Sequence, residues 1–130
     1  MLKFSDPPTI HQPGPAYSHS AIVPAGTELV FISGQVGLRP DGSLPESAGE
    51  QARQVFENLS AVLAAHGLDA TALVKITTFV RTGADLQAVR AERSTFMAGH
   101  RPTSTLVFVP QLADPAWLVE VEAVAARTTS

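Results

Sequence analysis

Two glutamates near the end of the chain, Glu120 and Glu122, alternate with valines in the run Val119-Glu-Val-Glu-Ala. Runs rich in β-branched and aromatic residues, set between proline and glycine punctuation, predict two strands here, Ser104 to Val109 and Trp117 to Ala126. Alternation puts Glu120 and Glu122 on one face of the second strand with Leu118, Val124 and Ala126, the two carboxylates roughly 7 Å apart. A charge on a mostly apolar strand is costly unless solvated, paired or used. The strand therefore lines a pocket or shows this face to water. In a pocket, Glu120 would hold or deprotonate a water that attacks an electrophilic carbon; otherwise either carboxylate is simply solvated or paired with an arginine.

Other residues with chemical use are few. Ser33-Gly34 ends an apolar run, where a glycine admits close approach of a ligand or marks a β-bulge. Tyr17 follows Gly14-Pro15-Ala16, a stiff segment that would hold its ring either as an ordinary anchor or as a pocket wall. The four histidines, His11, His19, His66 and His100, have no paired spacing on any predicted element, so no metal site is expected. Absence of cysteine excludes disulfides and thiolate nucleophiles and fits a reducing compartment. No Gly-x-Ser-x-Gly elbow or phosphate-binding glycine pattern occurs. Chemistry without metal or cofactor, or plain binding of a small molecule, remains.

The elements that must position these residues follow from periodicity. Met1 to Asp6 suits a short edge strand, and the prolines from Pro7 to Pro15 impose an extended loop. Tyr17 to Val23 and Glu28 to Gln35 are apolar runs joined by Pro24-Ala25-Gly26, which suggests a hairpin or tight connection. Leu29-Val30-Phe31-Ile32 is continuous and therefore expected to be central and buried on both faces. A helix enters near Ser47, with Glu50 at capping-box distance, keeps Ala52, Val55, Phe56, Leu59, Val62 and Leu63 on one stripe, and closes at Gly67. His66 then sits at the negative end of that helix. Leu73 to Arg81 reads as a strand with Val74, Ile76 and Val80 to one side. A second helix opens with Thr82 and Asp85 as a cap pair, aligns Leu86, Val89, Phe96 and Met97, and stops at Gly99.

Strands, helix, strand, helix, strands make an α+β layer in one domain spanning residues 1–130. Two helices cover one face of a mixed sheet, and the other face needs a partner. With 45% hydrophobic and 16% charged residues, self-association is the expected remedy. A net charge of -3 and scattered basic residues disfavour nucleic acid. No stretch reaches the roughly 18 apolar residues of a membrane span and no export signal opens the chain, so a cytoplasmic location away from membranes is expected.

Taken together, Tyr17, Ser33-Gly34-Gln35, the helix EQARQVFENLSAVLAAHGL, the strand VKITTFV and the closing VEVEAVA resemble the RidA (YjgF-type, endoribonuclease L-PSP-like) family from about Gly14 to Arg127. The resemblance implies a chorismate-mutase-like fold in a homotrimer, with the sheets forming a central β-barrel and clefts at the subunit boundaries. It also implies hydrolysis of reactive imines and enamines to keto acids and ammonia, without a cofactor. By position the water-directing glutamate is Glu120, the cleft tyrosine Tyr17, the ligand-approaching glycine Gly34, and the small or cysteine residue of the cleft becomes Leu106. The family's carboxylate-binding arginine stands two residues after a proline; that proline is Pro102, and the position holds Ser104. A serine lacks the two-pronged charged grip of a guanidinium. Its loss is worth on the order of 2 to 4 kcal/mol, roughly 30-fold to 1000-fold in efficiency. The usual 2-imino-acid deaminase activity is therefore not expected at its ordinary rate, unless Arg90, at the family's cleft asparagine, or Arg101, just before Pro102, compensates; either also suits a solvated surface. The alternative is a ligand-binding or regulatory trimer without turnover, and a ribonuclease is the least favoured expectation.

Overall fold

A computed structural model describes residues 1–128. Helix α1 (Ala48–Ala65) begins where the Ser47 hydroxyl accepts a hydrogen bond from the Glu50 backbone N–H at 3.1 Å, and it buries Ala52, Val55, Phe56, Leu59 and Leu63. The chain leaves it through Gly67 at φ 72°, a left-handed conformation natural to glycine. Helix α2 (Leu86–Met97) is capped by Asp85 itself, whose carboxylate accepts from the Ala88 N–H, while Thr82 donates to the Val109 carbonyl instead of sharing the cap. Stacked Phe56 and Phe96 rings, with centroids 5.0 Å apart, join the two helices.

Strands β1 (Lys3–Ser5) and β2 (Ser20–Ile22) form a small antiparallel ribbon. Strands β3 (Thr27–Val36), β4 (Leu73–Arg81), β5 (Thr103–Val109) and β6 (Val119–Thr128) form a four-stranded mixed sheet in the order β3-β6-β4-β5. Only β4 and β5 are parallel, the long crossover between them being α2. Strand β6 is central, and its Val119, Val121, Ala123 and Ala125 are buried beneath the helices. This is the expected α+β fold with one face of a mixed sheet covered by two helices.

Two local expectations are corrected, and the choice between a hairpin and a tight connection is decided. The Leu29 to Ile32 run lies on an edge strand, with Ile32 buried on the helix side and Phe31 77% exposed on the other. Its unbroken apolarity reflects one face for the core and one left open by this chain. The tight connection at Pro24-Ala25-Gly26 does not close a hairpin, because β2 pairs with β1 and β3 with β6. Finally, a register shift between Leu73 and Lys75 turns Leu73, rather than Val74, fully into the core. No helix among the described residues is long and apolar enough to cross a membrane.

Candidate functional site

A hollow of about 780 Å³ lies between α2, β5 and the proline-rich segment before β2. Tyr17, Arg90, Ser104 and Leu106 all line it, as do Arg93, Ser94 and Met97. Ser104 and Leu106 are aligned with Ile76 and Thr78 of β4, so they stand on the helix side of the sheet. Tyr17 is held there by its neighbour: the Ser18 N–H donates to the Pro102 carbonyl at 3.0 Å and the Ser18 hydroxyl to the Arg101 carbonyl at 2.7 Å.

Arg101 is committed to the same task. Its guanidinium donates to the Tyr17 carbonyl at 2.8 and 3.1 Å and to the Gly14 carbonyl at 3.0 Å, and it pairs with the Asp6 carboxylate at 3.2 Å. It stitches the stiff N-terminal segment to the start of β5 and is not among the residues lining the hollow. His100, in the cavity wall, has its Nε2 2.8 Å from the Leu73 carbonyl oxygen.

Glu120 is elsewhere. Its partners across the sheet are Phe79 of β4 and Val36 of β3, and Phe79 is in turn aligned with Val107, so these side chains occupy the open face. There the half-buried Glu120 carboxylate rests on the bulge in β3: a Cβ placed on Gly34 would come 1.9 Å from Glu120 Oε2. The glycine thus leaves room for the carboxylate beside it, and of the two readings of Ser33-Gly34 the β-bulge is the one present in the strand pairing. Ser33 and the exposed Glu122 line a shallower hollow of about 240 Å³ on this face, with Lys75 and Thr77. One chain therefore carries two groups of candidate residues on opposite faces of one sheet, Tyr17, Arg90, Ser104 and Leu106 on the first and Ser33, Gly34 and Glu120 on the second.

Sequence reasoning overlooked Arg93. Val89, Arg93 and Met97 recur every four residues, so the arginine occupies the buried stripe of α2 and is only 9% exposed. Its Nη1 donates to the Ala16 carbonyl at 3.2 Å, and its Nη2 is buried without a partner among the described residues. Burial, and secondarily the positive charge of Arg90, hold its pKa below the ordinary guanidinium value. An arginine on an apolar helical stripe beside a proline-rich loop was the available signal.

The chain matches the family described as Endoribonuclease L-PSP over residues 9–127. It is 38% identical over 104 residues to a RutC family protein of Haemophilus influenzae, covering 76% of this chain and 79% of that one. To a 2-iminobutanoate/2-iminopropanoate deaminase of Salmonella typhimurium it is 35% identical over 103 residues, covering 76% and 80%. A crystal structure of a Rid-family protein of Yersinia pestis superposes with a TM-score of 0.85 at 28% identity, covering 95% of this chain and 97% of that one. With its match running through both groups of candidate residues, the chain belongs to the Endoribonuclease L-PSP family, that of the RidA and YjgF-type proteins.

Proposed function

We propose that this protein hydrolyses a small imine or enamine, or a related carbonyl compound, in clefts where the helix-side cavity of one copy meets the Gly34 and Glu120 bulge of the next, in a cytoplasmic homotrimer. The observation that carries this is the opposition of the two faces: Glu120 lies against a glycine that leaves it room, while the cavity with Tyr17 and Ser104 opens on the other side of the sheet. An open face carrying Phe31 at 77% exposure and Leu29 at 47% supports association of copies through the sheet.

In the reaction, Glu120 accepts a proton as a water oxygen bonds to the imine carbon. That proton passes to nitrogen to give a carbinolamine; the carboxylate then takes the carbinolamine hydroxyl proton and delivers it to the same nitrogen as the carbon–nitrogen bond breaks, so that ammonia leaves and the carbonyl remains. Ser104 withholds the cation that the start of β5 would otherwise offer a substrate carboxylate, so short 2-imino acids are processed slowly through that position.

The test is release of ammonia from imines generated in situ by a pyridoxal-phosphate-dependent dehydratase. Glu120→Gln should bring it down to the uncatalysed rate, and Ser104→Arg should raise the rate on 2-aminoacrylate. Turnover untouched by Glu120→Gln would remove the catalytic assignment and leave a ligand-binding protein.

A further inference from the structure

The cavity between α2 and β5 has an unbalanced charge. Arg90 and Arg93 both line it, no aspartate or glutamate does, and neither arginine joins an ion pair among the described residues. Elsewhere in the chain Arg53, Arg101 and Arg127 each face a carboxylate. Arg93 is the anomaly of the set. It is nine-tenths buried, makes one hydrogen bond to a backbone carbonyl, and keeps a buried terminal N–H group unsatisfied. Buried arginines are normally paired, because a desolvated cation without a counter-charge is expensive. Among the described residues no carboxylate pairs with it.

We propose that Arg93 is the anion-binding residue of this cavity, gripping the carboxylate of a small organic acid from helix α2, with Arg90 adding positive charge at the exposed rim. Tyr17, Met97 and Leu106 give the acid an apolar wall, and Ser104 and Ser94 give it neutral hydrogen-bonding groups. A guanidinium has a fixed fork of donors that suits a carboxylate, and Nη2 has a free place in that fork. The acids accepted are therefore selected by α2 and the segment before β2 rather than by the start of β5. This rests on the function proposed above only in taking the cavity as the substrate's half of the cleft.

The experiment is calorimetric titration of the purified full-length protein with two acid and amide pairs, 2-oxobutanoate against 2-oxobutanamide and benzoate against benzamide. At least one acid should bind the unaltered protein about 10-fold to 100-fold more tightly than its amide. Arg93→Gln should erase that preference, Arg93→Lys should restore part of it, and Arg53→Lys, at an exposed ion pair outside the cavity, should leave it in place. Equal affinity for acid and amide, or no binding by either acid, overturns the proposal on the unaltered protein, whatever the variants do to folding. Glu120→Gln separates the two proposals. Acid binding retained without turnover supports both; acid binding retained with full turnover refutes only the hydrolytic role of Glu120; turnover that requires Glu120 but no acid preference refutes only the role of Arg93.

Discussion

The contact between Gly34 and Glu120 makes a sharp prediction for Gly34→Ala. The added methyl would stand 1.9 Å from Glu120 Oε2 and 2.8 Å from its Cδ, against about 3.4 Å for ordinary contact, so the carboxylate must retreat by roughly 1.5 Å. The nearest atoms are the far end of a flexible side chain on an open sheet face, and Cγ at 3.1 Å needs only a small shift. Stability should change by less than about 1 kcal/mol, because the carboxylate can rotate away without moving the backbone. Turnover should not survive that movement. A displacement of about 1 Å in a group that directs an attacking water costs on the order of 100-fold. Ammonia release from an in-situ imine, read beside a urea unfolding curve, measures both quantities on one sample. Full turnover with unchanged stability would refute the link between this glycine and the reaction, and a collapse in stability would refute the claim that only the tip of Glu120 is disturbed.

Two further outcomes follow from the packing. Gln51→Leu should destabilise the fold by about 3 kcal/mol in urea, because the Gln51 side chain, 1% exposed, donates to the carbonyls of Pro45 at 2.9 Å and Ala116 at 3.1 Å and accepts from the Leu118 N–H at 2.8 Å. Phe31→Asp should shift the light-scattering mass to that of a single chain, since it places a charge in the apolar patch proposed to join copies; an unchanged trimer mass would move the interface elsewhere.

Much of the fold was legible because local and long-range preferences agree. Helix α1 is bounded by Ser47 and Gly67, and its apolar stripe is the one that packs. Strand β3 was misjudged because a residue prepared for the core and one prepared for another surface look alike in sequence: Ile32 and Phe31 are equally apolar, and only the layer order separates them. The bulge that turns Leu73 inward breaks the alternation on which the strand was read. At the site, spacing alone could not show that Glu120 and Ser104 fall on opposite faces, which depends on pairing strands that meet from distant parts of the chain. Nor could it tell the two arginines flanking the cavity apart from Arg101, whose guanidinium is spent on Asp6 and on the carbonyls of Gly14 and Tyr17.

The opposed placement of Glu120 and Ser104 reaches into how defects would combine. No side-chain rotation carries a group through a hydrogen-bonded sheet, so a solitary copy cannot present both to the same ligand. With the cleft shared between copies as proposed, two inactive preparations, one lacking the acid and the other lacking the cavity arginine, would regain part of their activity when unfolded and refolded as a mixture, and specific activity would fall on dilution.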